Sequence, residues 1–177
     1  MDNIKADKNL MNGKGEEDVQ WITANGAHIP IKEGESKQEA VKEHFKEVRQ
    51  KGNIVHRLGY IEQNSVAKQV LGNRLISLEF GISDNYQKHI EKGHGDVFAT
   101  YNKNLSQIIN NPDMIFEGNK PNRVVMIKRI DRQVEIVLEL SINEKNKNQI
   151  ISMWTTTNKY IKTLTNKYKT LYKRHNV

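Results

Sequence analysis

Cysteine is absent from the 177 residues, which excludes disulfides, thiolate nucleophiles and cysteine-ligated zinc. No apolar run approaches the roughly 18 residues that a membrane-spanning helix needs. The opening MDNIKADKNLMNGKGEED also lacks the apolar core of a secretory leader. A soluble, cytoplasmic protein with no membrane partner is therefore expected, and any export would use another route. Missing as well are an internal repeat, a low-complexity tract, a P-loop, a glycine-rich dinucleotide fingerprint and an HExxH pattern. No cofactor is expected.

Acidic residues run out at Glu144, and eight positive charges follow between Lys145 and Arg174. The net charge of +7 less those eight leaves −1 for residues 1–144. A one-sided basic segment is the electrostatic footprint of a polyanion partner, although basic tails are often only solvated.

The organisation that is present reads from left to right. Residues 1–20 are polar and aperiodic, a flexible lead-in. Residues 21–52 form a hairpin about Asn25-Gly26, a pair suited to the positive φ angles of a tight turn, and an amphipathic helix. That helix opens on the capping box Ser36 to Glu39 and puts Val41, Phe45 and Val48 on one stripe. Residues 53–177 make the rest of one compact domain. Within them Gly52 to Asn73 is connecting structure with a short helix at Ser65 to Leu71. A strand is expected at Leu75 to Phe80, and helices at Asp84 to Lys92 and Tyr101 to Asn110.

After Pro112 the hydrophobic period changes from 3.6 to 2. Strands are expected at 114–117, 123–130, 134–142 and 149–155, joined by connections short enough to require antiparallel neighbours. In the third strand Val134, Ile136, Leu138, Leu140 and Ile142 would face the core, and Glu135, Val137, Glu139 and Ser141 would face water. A final basic helix from Asn158 to about Lys173 would dock Ile161, Leu164, Tyr168 and Leu171, turning Lys162, Asn166, Lys169 and Lys173 outward. The fold class is α+β: N-terminal helices, a four-stranded antiparallel meander and a C-terminal basic helix.

Chemistry gathers first at Ser83 to Gly95, SDNYQKHIEKGHG. Ser83 or Asp84 can cap the helix and Gly93 or Gly95 can end it, leaving His89 on the helix and His94 just past its end. Two imidazoles can divide a proton transfer near neutral pH, and a histidine at a helix terminus can equally be no more than a cap. A second cluster is Trp154-Thr155-Thr156-Thr157-Asn158, hydroxyls at a helix start that would suit a phosphate or merely end a strand. Together these parts fit metal-free RNA cleavage. His89 and His94 would be base and acid in either order, with Thr155, Thr157 and Tyr160 completing the catalytic set. Lys88, Lys92, Lys128, Thr156, Lys162, Lys169 and Lys173 would bind the substrate, and Tyr160 or Tyr101 could stack on a base or donate a hydrogen bond. Histidines five apart across a helix end lack metal-ligand spacing, so no metal is expected.

KHIEKGHGD, NLSQIINNPDMIF, VVMIKRI, VEIVLEL and SMWTTTNKYIKTL, followed by a basic C-terminus, resemble the phage and mobile-element branch of the nucleases grouped with barnase, EndoU, colicin and RelE toxins, the BECR group. WITANGAHIPIKEG, residues 21–34, is similar to a segment of phage minor head proteins that precedes such a domain. The likeness spans residues 21–172. It implies an antiparallel sheet flanked by helices, RNA, possible tRNA included, bound across the sheet, and no metal. It also implies toxin-like activity held in check by an immunity or inhibitor protein, with phage head proteins as further partners and virion association or delivery into a target cell. His89, His94, Thr155, Thr156, Thr157 and Tyr160 are the positions it marks. Glu135 or Glu139 could replace a histidine as base, as in barnase-like sites. Two other readings compete: a non-catalytic head-associated or nucleic-acid-binding protein working through Lys162, Lys169 and Lys173, and an ADP-ribosyltransferase using Glu135 or Glu139.

Overall fold

The computed structural model describes residues 5–7, 20–24 and 27–176, and the chain divides into two units, Met1–Gly52 and Asn53–Val177. In the first, β1 (Lys5–Asp7), β2 (Gln20–Ala24) and β3 (Ala27–Ile31) form an antiparallel sheet in the order β1-β2-β3. β1 falls inside the expected lead-in. The Asn25-Gly26 turn lies outside the described residues, but the strands on either side pair from Ala24↔Ala27 to Gln20↔Ile31. Helix α1 (Lys37–Gly52) begins with the expected capping box: the Glu39 N–H donates to Ser36 Oγ, and the Ser36 N–H donates to Glu39 Oε2, both at 3.2 Å. Ala40 and Val41 pack on Ile29 and Ile31, whereas Val48, expected on the same stripe, is half exposed.

The second unit is built on a seven-stranded sheet. Its strands are β4 (Val55–Tyr60), β5 (Glu79–Ser83), β6 (Met114–Glu117), β7 (Arg123–Arg129), β8 (Gln133–Glu139), β9 (Asn148–Thr156) and β10 (Thr170–Lys173). They lie in the order β10-β6-β7-β8-β9-β5-β4. β5 and β9 run parallel, and every other neighbouring pair is antiparallel. The expected meander β6-β7-β8-β9 is the centre of this sheet, and three strands extend it. β5 starts four residues later than expected, and β4 comes from the stretch read as a connection.

The final helix requires the largest correction. Helix α6 covers only Asn158–Lys167, and the chain then turns back as β10 along β6. Tyr168 is already extended, at φ −123° and ψ 152°. Lys169 and Lys173 therefore leave the helix, and the single basic stripe shared with Lys162 does not form.

The remaining helices cover the sheet. They are α2 (Val66–Leu71), α3 (Asp84–His94), α4 (Val97–Tyr101) and α5 (Leu105–Asn110). A 3-10 turn at Asn102–Asn104 separates α4 from α5, where one continuous helix was expected. Val124, Met126, Ile136, Leu138 and Met153 on one sheet face join Leu71, Phe98, Leu105, Ile108 and Ile109 in the main core. On the other face, Val125 and Ile127 pack under Ile161 and Leu164 of α6. The sheet is thus covered on both sides, and the β8 face expected to see water is partly sealed. Ile142, expected in the core, lies beyond the end of β8 and is exposed.

Candidate active site

Helix α3 is defined at both ends by local chemistry. The Ser83 hydroxyl accepts from the Tyr86 N–H at 3.2 Å, and Gly95 ends the helix at φ 64°, a backbone region that favours glycine. Ile90 is buried in the main core, which fixes how the helix turns about its axis. His89, one position back, is exposed and points to the sheet face carrying α6, because it lines a groove there. Helix α6 is capped by Thr157, whose hydroxyl accepts from the Tyr160 N–H at 3.3 Å. Burial of Ile161 and Leu164 leaves the preceding Tyr160 at the rim of the same groove.

The groove has a volume of about 340 Å³. Its floor includes Glu135 and Val137 of β8 with Ser152 and Trp154 of β9, set by the ladder pairs Glu135↔Trp154 and Val137↔Ser152. Arg123 reaches it from β7, held by Glu139 through an Nε to Oε2 contact of 2.9 Å. Gly118, in the turn before β7, lies so close to Arg123 that an added Cβ would sit 2.8 Å from the Arg123 carbonyl oxygen. Gly118 therefore tolerates no side chain without moving Arg123.

Glu135 is the unusual group. Its residue is 1% exposed, and Oε1 is buried without a hydrogen-bond partner. Burial pushes its carboxyl up to about 8, since removing a charge from water disfavours the ionised form. Near neutral pH the side chain therefore mostly carries its proton. Tyr160 is raised above the ordinary phenol range, first by burial and then by the negative charge of Glu135, so its hydroxyl stays a donor. Strongly perturbed carboxyls in clefts cluster at functional sites.

Of the residues singled out in the sequence, the groove gathers His89 and Tyr160, together with Glu135, which was weighed there as an alternative base. His94 and Thr155 line an adjoining recess with Trp154 and Tyr160. Thr157 is occupied as the α6 cap, and Thr156 Oγ1 is buried without a partner. Lys88, Lys92 and Lys162 are exposed, as are Lys169 after α6 and Lys173 on β10. Lys128 is drawn elsewhere: it is 8% exposed, donates to the Asn111 carbonyl at 2.7 Å and lies 3.7 Å from Asp113. Tyr101 is also removed from the site, buried with its hydroxyl donating to Asp131 at 2.6 Å. Arg123, Ser152 and Trp154 were not singled out from sequence as site residues. Among the described residues, no three His, Asp or Glu side chains converge as a metal-ligand set, and no helix is long and apolar enough to cross a membrane.

Residues 56–163 match the family model PBECR3, phage-Barnase-EndoU-ColicinE5/D-RelE like nuclease3. The chain belongs to this family. Its nuclease region takes in most of the second unit and every residue of the groove except Leu164 and Tyr168. Residues 21–34, expected from the sequence to resemble a segment of minor head proteins, lie outside the match. No curated protein and no solved structure matches the chain.

Proposed function

We propose that this nuclease is a metal-independent endoribonuclease that cleaves RNA by attack of a ribose 2′-OH on the adjacent phosphate. The observation that carries the reading is Glu135, a buried, unpaired carboxyl that holds its proton at neutral pH beside His89, Tyr160 and Arg123. His89 takes the 2′-OH proton as that oxygen bonds to phosphorus. The bond from phosphorus to the 5′-oxygen breaks, and Glu135 gives its proton to the departing oxygen. The Tyr160 hydroxyl and the Arg123 guanidinium steady the charge on the crowded phosphate. The products are a 2′,3′-cyclic phosphate and a 5′-hydroxyl.

An enzyme of this kind would endanger the cell that makes it, which supports the expectation of an inhibitor protein. The likeness of residues 21–34 to a minor-head segment supports carriage by phage particles. The test is incubation of wild type, Glu135→Gln and His89→Ala with total RNA and a mixed oligomer in excess EDTA, followed by mapping of product ends. Cyclic phosphate ends that vanish in both variants are expected. Intact RNA with folded wild type would remove the reading.

A further inference from the structure

The groove opens beside a recess of about 540 Å³ lined by His94, Trp154, Thr155 and Tyr160. Trp154 and Tyr160 line both cavities. Three rings bound the recess. The His94 imidazole lies 5.3 Å from Trp154 at a tilt of 35°, and the Tyr160 ring stands nearly upright to the indole, 72° at 6.5 Å. Trp154 remains partly exposed although its strand is sealed on the opposite face by Met153. None of the four lining residues is acidic, so nothing in the recess repels a polyanion.

We propose that Trp154, flanked by His94 and Tyr160, is the platform on which an unpaired base stacks, so that the substrate strand is single-stranded where it is cut. The proposal rests on the ribonuclease reading above and adds its substrate class. The indole offers a π-face to any base, and imidazole and phenol can meet the base edge. Trp154 is the cross-strand partner of Glu135, so a nucleotide seated on it brings its phosphate to the groove. A base within a duplex has both faces covered by its neighbours and would first have to leave the stack. His94, five residues beyond His89, thereby has a binding role beside the indole.

Trp21 belongs to the first unit, so Trp21→Phe leaves Trp154 as the single tryptophan. The full-length Trp21→Phe protein is titrated with a 2′-O-methyl RNA hexamer, which cannot be cleaved, and with the same hexamer annealed to its complement. The single strand is expected to quench the indole emission and the duplex to leave it unchanged. A labelled hexamer read by anisotropy should bind Trp154→Ala about 5- to 150-fold more weakly, with Trp154→Phe recovering most of the loss. Equal quenching by both probes, or undiminished binding to Trp154→Ala, overturns the proposal. Should Trp154→Ala fail to fold, the quenching titration still decides. Quenching by the single strand without any cleavage of ordinary RNA would keep the platform and remove the nuclease mechanism. Cleavage without quenching would do the reverse.

Discussion

Glu135 and Trp154 face each other across the β8–β9 ladder. Directly opposed residues have Cβ atoms about 4.5–5.5 Å apart. A proton-holding carboxyl and a surface large enough for a base therefore lie within the span of one nucleotide.

The first prediction concerns the direction of the pH profile. If Glu135 enters as the acid, initial rates of RNA cleavage fall as pH rises through about 8, where the carboxyl loses its proton. Glu135→Gln should lower kcat by roughly 10²- to 10⁴-fold, the usual contribution of a positioned acid or base. A rate that climbs through the same range would make Glu135 the base and His89 the acid.

Stability should respond to the same group. Glu135 moves from 4.5 when unfolded to about 8 when folded, so the folded state binds the extra proton between those values. Its stabilising effect is complete below pH 4.5 and is lost as pH rises to about 8, a change of roughly 3 to 5 kcal/mol. In urea melts at pH 5 and pH 8.5, wild type should lose more stability than Glu135→Gln. Equal losses would mean that the carboxyl is not desolvated as described.

The two α3 histidines should separate kinetically. His89→Ala is expected to lower kcat by about 10²-fold or more, whereas His94→Ala raises KM and changes kcat little. Steady-state rates on a short single-stranded oligomer measure both. A kcat loss at His94 as large as that at His89 would restore the pair as joint acid and base.

Asp113 is the structural counterpart of the site. It is buried and accepts from the Arg129 N–H at 2.9 Å, and it also contacts Lys128 and Arg174. Asp113→Ala should cost about 3 kcal/mol, because Lys128 would stay buried without its counter-charge. Lys128→Met, which removes the charge and keeps the length, should cost clearly less. Urea denaturation of the two variants checks the order.

The parts of the fold that were legible in the sequence are those in which one local rule acts alone. The central meander shows as short apolar runs broken by turn residues, and the capping box at Ser36 and the cap at Ser83 need only neighbouring residues. β10 was hidden because Leu164, Tyr168 and Leu171 keep a helical spacing through a segment that pairing with β6 makes extended. β4 was hidden because it is an edge strand, exposed along most of its length, and has no buried face to alternate. Glu135 was weighed only as an alternative. In a period-2 pattern it occupies a solvent position, and nothing local reveals that α6 returns over that face. The histidines were legible as residues, but which of them meets the carboxyl depends on how burial of Ile90 turns α3 about its axis.

The parallel contact between β5 and β9 joins Phe80 to Asn148 across a long stretch of chain. Pairings so distant in sequence close late and slow folding. The groove draws on residues from Tyr86 to Tyr168, so a chain emerging from the ribosome cannot assemble it until the segment through Tyr168 has been made.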